Sequence, residues 1–382
     1  MTMQNWILPE YIEDILPPDA HQIETMRRKV LDLFRVNGYD LVLPPLIEHV
    51  ESLRSGTGQD MDLRTFKLVD QMSGRLLGLR ADITPQVARI DAQLLNRPGV
   101  ARLCYAGSVL HTLPLGLTRT REPLQIGADI YGHSGIESDI EIQKLMLDAL
   151  SRLGVGQIHL DLGHVGVFRS IAHVSNIGSE LESELFRVLQ AKDLSGIAEL
   201  AAPLDSKVKE ALCLLPELYG GMEVIERARR ALSGFPGVLD ALDDLEAVAS
   251  ELAVPDFSFD LAELRGYHYH SGMVFAVYAK GCPNAVALGG RYDEVGSAFG
   301  RARPATGFSM DLREIASVLP SPVDEACIHA PYSKDPGLLD AISQLRDAGK
   351  RVLIDLPGHE AEPGARLALR DGRWVIEQLS MD

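Results

Sequence analysis

The stretch Leu79 to Gly132 constrains this chain most, because it dictates three consecutive elements and much of what they enclose. Thr84-Pro85 predicts a helix start: a hydroxyl can cap free amides, and a proline at the first helical position removes one of them. Val87, Ile90 and Leu94 recur at three- and four-residue spacing, so one face is apolar, and Asn96-Arg97-Pro98-Gly99 ends the helix near Asn96. Arg102 to Leu110 and Leu124 to Tyr131 then read as strands, joined by a connector that holds Gly116, Thr118, Arg119 and Arg121. In the second strand Ile126, Ala128 and Ile130 share one face and Gln125, Asp129 and Tyr131 the other. An amide, a carboxylate and a phenol side by side fit either a solvated sheet face or the floor of a polar pocket.

The order LRxxxT, helix, strand, polar loop with RxR, then QxGxxxxG resembles motif 2 of the class II aminoacyl-tRNA synthetases in its histidyl form. Leu264 to Phe275 resembles the histidine-recognition segment of histidyl-tRNA synthetases, and Leu288 to Ile315, with its GGRYD, resembles their motif 3. Upstream, Ile23, Met26, Val30, Leu33 and Phe34 give an amphipathic helix from His21 to Asn37, stopped at Gly38. A strand from Tyr39 to Ile47, interrupted by Pro44-Pro45, follows; a proline pair marks an edge or a bend. This region resembles motif 1, which implies a homodimer. The resemblance covers roughly the first 315 positions. It implies an α+β fold, a class II synthetase-like antiparallel sheet flanked by helices, with 1–164 and 255–316 as the core. Residues 165–254 read as a helical insertion, with helices at Glu180–Ala191, Ser206–Leu215, Met222–Leu232 and Leu239–Leu252. Residues 317–382 read as a small C-terminal α+β appendage, with a hairpin turning at Asp371-Gly372.

The departures from the family pattern bear on activity. By resemblance, the loop after the first motif 2 strand should carry an arginine for the ATP α-phosphate and a glutamate two positions on; here stand His111 and Leu113. The second phosphate-binding arginine, in motif 3, is matched by Glu314, with Arg313 displaced by one. A carboxylate at contact range would repel a phosphate by about 4 kcal/mol at an effective dielectric near 20. Loss of one preorganised donor costs on the order of 100- to 1000-fold in rate. The replacements therefore predict a site with no catalytic residue. The amino-acid half is better kept: matching motif to motif, the resemblance implies histidine binding by Asp82, Thr84, Gln125, Asp129, Arg265, Tyr269, His270 and Tyr292, with His270 where the family has tyrosine. Carboxylates suit an ammonium or imidazolium, and a guanidinium suits a carboxylate. The same residues also fit a relic pocket in which they satisfy one another.

Charge narrows the partners. Lys+Arg 37 against Asp+Glu 54 leaves −17, with no offsetting basic cluster, and Asp240, Asp243, Asp244 and Glu246 make the insertion acidic. Both lower the odds of a tRNA partner. The four cysteines are scattered, which fits a reducing cytoplasm without disulfides or zinc. His268 and His270 form an HxH pair, but no third ligand stands nearby, so no metal is expected. No signal peptide and no apolar run long enough to span a bilayer is present. Ser134-Gly135-Ile136-Glu137 reads as a capping box and Gly220-Gly221 as a loop.

Taken together, the chain most resembles the synthetase-like regulatory subunits of ATP phosphoribosyltransferase. That resemblance implies a hetero-octamer with the short-form catalytic subunit in the first step of L-histidine biosynthesis. It further implies histidine as feedback effector, no cofactor, and no tRNA or membrane partner. The alternative is an amino-acid-adenylating histidyl-tRNA synthetase paralogue.

Overall fold

The alternation along Leu124–Tyr131 makes this strand a divider between two cores. In the computed structural model, which describes residues 7–54, 59–114, 120–264, 266, 269–321, 327–358 and 364–378, the strand lies inside a large mixed sheet. From one edge to the other the strands run Asp40–Leu41, Ala101–Ser108, Leu124–Tyr131, Ala305–Asp311, Ala285–Arg291, Met273–Ala279, Ile158–His164, Phe257–Asp260 and Tyr219–Gly220. The five pairings from Ala101–Ser108 to Ile158–His164 are antiparallel, as is that of Phe257–Asp260 with Tyr219–Gly220, whereas Asp40–Leu41 with Ala101–Ser108 and Ile158–His164 with Phe257–Asp260 are parallel.

Ile126, Ala128 and Ile130 face the larger core, with Phe308 and Met310 from the neighbouring strand. Helices Asp19–Val36, Ile136–Leu153 and Leu312–Val318 cover that side. The first of these buries the five apolar residues that its periodicity marks, Ile23, Met26, Val30, Leu33 and Phe34. Each such side chain contributes about 1.5–3 kcal/mol on burial. On the opposite face Ala101, Leu103, Tyr105, Tyr131, Tyr292 and Ala305 meet Ile83 and Val87. This second core is small and rich in tyrosine, and the candidate site lies in it.

Several local expectations are corrected. The Tyr39–Ile47 strand is two pieces in different sheets: Asp40–Leu41 joins the large sheet, and Ile47–His49 joins a three-stranded sheet with Leu76–Leu79 and Lys67–Val69. Pro44 and Pro45 lie between them and supply no amide to continue a ladder. Thr84 does not cap its helix. The carboxylate of Asp82 accepts from the Thr84 amide at 3.0 Å, and the Thr84 hydroxyl turns inward. That helix runs Thr84–Arg89, widens into a π-helical turn at Ile90–Leu95 and ends on Asn96 in the left-handed region. Helix Ile136–Leu153 starts on Gly135 without a side-chain cap, so Ser134 is no capping box. Two further helices, Val165–Val174 and Leu194–Leu200, accompany the four read from periodicity. Tyr219–Gly220 is an edge strand rather than a loop.

Contacts divide the chain into two units, 1–320 and 321–382. The second has its own four-stranded sheet, in the order Val352–Asp355, Ile328–Pro331, Ala365–Arg370 and Arg373–Gln378. Its core of Ile328, Ala330, Leu338, Ile342, Val352 and Leu367 includes two residues of helix Pro336–Asp347.

Candidate functional site

Register decides which side chains meet on the tyrosine-rich face. Asp129 stands opposite Leu103 on one side and Gly307 on the other, and Gly127 opposite Tyr105. The segment 80–84 then comes over this face. Arg80, buried, secures it by donating to the carbonyls of Ser108 and Pro44, both at 2.9 Å. The Gln125 carboxamide accepts from the Ile83 amide at 2.9 Å and donates to Asp82 at 2.8 Å. Thr84 and Tyr105 share a buried hydroxyl contact of 2.9 Å. Asp82, Thr84 and Gln125 are thus one cluster.

Asp129 centres a second. Its Oδ1 accepts from the Tyr292 hydroxyl at 2.5 Å and its Oδ2 from the Tyr131 hydroxyl at 3.4 Å. Burial drives its carboxyl up to about 8, against the two phenol hydrogen bonds that favour the ionised form, and the Asp82 charge adds to the rise. The Tyr269 ring lies 5.1 Å from Tyr292 and 5.4 Å from His270, and its buried hydroxyl has no hydrogen-bond partner among the described residues. The Nδ1 of His270 lies 3.2 Å from the Arg291 carbonyl, and burial pushes its imidazole down to about 4. His270 sits beyond the Gly266 turn, ahead of strand Met273–Ala279. Arg265 and His268 lie outside the described residues. Gly307 leaves room for this arrangement: a Cβ there would collide with Asp129 and the Tyr292 hydroxyl.

Seven of the eight expected residues therefore stand in two adjoining clusters. The sequence reading missed Tyr105, although the alternation of Leu103, Tyr105 and Gly107, paired against Asp129, Gly127 and Gln125, carried that signal. Chemically, two carboxyls, an amide, hydroxyls and an open phenol can receive an ammonium and a nitrogen heterocycle. Among the described residues no group of histidine, cysteine and carboxylate side chains is arranged to hold a metal ion. Two surface cavities, of about 460 and 430 Å³, lie elsewhere, beside Tyr39 and Glu141 and beside His164 and Arg291. In the second, Arg291 and Asp139 form a buried pair at 2.6 Å that ties strand to helix. We assign the site by its convergent polar groups rather than by cavity size.

The nucleotide half differs from expectation in one respect. His111 is buried, its Nε2 2.9 Å from the Ala81 carbonyl, and Leu113 is exposed. Gly116, Thr118 and Arg119 lie outside the described residues. Glu314, however, points to the 282–284 turn, accepting from Cys282 at 3.1 Å and Asn284 at 3.4 Å. Arg313 is the side chain turned to the motif 2 connector, where it donates to Thr120 at 3.0 Å. Repulsion of a triphosphate by Glu314 at contact range therefore has no support in this geometry.

Comparison with known proteins supplies a family context. Residues 11–315 match the family model described as histidyl-tRNA synthetase, and residues 325–377 match that of the C-terminal domain of the ATP phosphoribosyltransferase subunit HisZ. An ATP phosphoribosyltransferase regulatory subunit of Nitrosospira multiformis is 60% identical, over 98% of this chain and 99% of its own. One from Ralstonia pickettii is 56% identical over 98% of each. Among solved structures, an ATP phosphoribosyltransferase regulatory subunit/histidyl-tRNA synthetase from Bacillus halodurans superposes with a TM-score of 0.83 at 27% identity, covering 94% of this chain and 95% of that one. A histidyl-tRNA synthetase from Nostoc gives 0.76 at 18% identity, with 93% and 87% covered, a likeness of fold.

Proposed function

The chain belongs to the family of ATP phosphoribosyltransferase regulatory subunits, and from that premise we propose that it is the non-catalytic partner of the short-form transferase, raising its activity and transmitting feedback by L-histidine. One observation carries the reading: the 60% identity runs the whole length, through a C-terminal unit that the synthetase model, ending at 315, does not reach. The assembly would be a cytoplasmic hetero-octamer that includes homodimers formed through the motif 1-like region. Among the described residues no helix is long and apolar enough to cross a membrane.

In this reading histidine occupies the tyrosine-rich face, its ammonium and imidazole between Asp82, Asp129, Gln125 and Tyr269, with Arg265 for its carboxylate. His111 and Leu113 stand where phosphate chemistry would need a cation and its partner. A pocket that binds the amino acid without activating it is a sensor. If histidine favours one arrangement of the complex, occupancy shifts the population toward it.

The test is the transferase reaction of the short catalytic subunit, run alone, with this protein, and with this protein plus histidine. Stimulation reversed by histidine is the expected result. Pyrophosphate exchange driven by an amino acid and ATP, without stimulation of the transferase, would establish the adenylating paralogue instead.

A further inference from the structure

Residues 9–14 lie against the nucleotide half of the site, held almost wholly through their carbonyls. The Tyr11 carbonyl accepts from the Arg121 amide at 2.8 Å and from the Thr120 hydroxyl at 3.1 Å. The Arg121 guanidinium reaches the Glu10 carbonyl at 3.3 Å, and that of Arg313 reaches the Glu13 carbonyl at 3.4 Å. The segment turns on itself, the Ile12 amide donating to the Pro9 carbonyl at 3.1 Å, with Tyr11 at φ +61°. Leu8, Tyr11 and Leu16 remain exposed; Ile12 is half-buried and Ile15, just past the segment, packs against the larger core, so residues 9–14 themselves bury little apolar surface. An element held this way opens at low free energy.

The same contacts continue inward. Arg121 Nε donates to the His111 carbonyl at 3.1 Å, and the His111 amide donates to the Arg121 carbonyl at 2.8 Å. The His111 ring lies 2.9 Å from the carbonyl of Ala81, the residue before Asp82. Strap, Arg121, His111 and the first carboxylate of the pocket form one unbroken run.

We propose that residues 9–14 are a regulatory strap, fastened by Thr120, Arg121 and Arg313, whose closure is coupled to occupancy of the histidine pocket. This rests on the histidine reading of that pocket. A ligand that fixes Asp82 fixes Ala81 and, through His111, the position of Arg121; a closed strap in turn favours the ligand, because coupling between two sites is reciprocal. Arg121 and Arg313, at the motif 2 connector, thus hold backbone of the same chain.

Tyr11 allows a test that leaves the pocket untouched. Proline holds φ near −65° and cannot adopt the observed turn, whereas glycine adopts it freely. Full-length wild type, Tyr11→Pro and Tyr11→Gly would be compared by calorimetric titration with L-histidine and by amide hydrogen exchange at Ile12 and Arg121. Histidine should slow exchange at both amides in wild type and in Tyr11→Gly. Tyr11→Pro should exchange fast at Arg121 and bind histidine at least about fivefold more weakly. If Tyr11→Pro does not fold, Thr120→Val, which removes the hydroxyl from the Tyr11 carbonyl, from Arg313 and from the Glu122 amide that also donates to it, supplies the comparison. Histidine binding with unchanged exchange in wild type, or an unweakened strap variant, overturns the strap and leaves the pocket standing. Absence of histidine binding by wild type overturns both.

Discussion

Asp129 and His270 both adjoin Tyr292 in the candidate site and are displaced in opposite ways, both chiefly by burial. Asp129 is held up to about 8 from an ordinary 3.8, so its neutral form contributes stability that is full below the unfolded value and is lost as pH rises through 8. His270 is held down to about 4 from 6.5, so its contribution is present above 6.5 and is lost as pH falls toward 4. Between pH 6.5 and 8 only Asp129 of the two changes state. Urea unfolding across that window should show wild type losing on the order of 1 to 2 kcal/mol that Asp129→Asn does not lose. A variant with the same pH slope as wild type would remove Asp129 as the buried acid. The sign carries over to the ligand. An ammonium beside Asp129 favours its carboxylate, so histidine binding at pH 7 should release a proton, and Asp129→Asn should abolish that release.

The elements that form the pocket were legible to different degrees, for physical reasons. Period-two alternation in Leu124–Tyr131 was readable because each face is buried against a different core, one aliphatic and one rich in tyrosine. Helix Asp19–Val36 was readable because its apolar stripe is complete. The cap at Thr84 was misread because Asp82 is a stronger acceptor two residues earlier, which frees the hydroxyl for Tyr105. Glu314 was misplaced because motif matching fixes positions in sequence, whereas adjacent residues on a helix point in directions about 100° apart. A glycine at 307 is legible in the sequence as suited to close backbone approach, and the geometry shows what comes close to it. A methyl group at Gly307 would displace Asp129 and Tyr292, so Gly307→Ala should cost about 1–3 kcal/mol and weaken histidine binding. Gly156→Ala, with nothing within 4 Å and no positive φ, should leave both unchanged. Equal effects of the two, by thermal denaturation and calorimetric titration, would remove Gly307 as a spacer for the pocket.

At the scale of the molecule, every proposed histidine contact belongs to the unit 1–320, while the match to the regulatory subunit's C-terminal domain, at 325–377, lies in the second unit. Reciprocity gives a test of the coupling. If histidine lowers the affinity of the assembled complex for ATP or phosphoribosyl pyrophosphate by some factor, saturating substrate must lower histidine affinity by the same factor, a typical coupling being about 5- to 150-fold. Histidine titrations of the complex with and without substrate should yield a ratio equal to the shift in substrate dissociation constant. They should show no effect of substrate with this protein alone, since the proposed reading puts the transferase site on the partner. An effect of histidine on turnover without a matching effect of substrate on histidine binding would locate the feedback in the rate of a step rather than in a shift between two states.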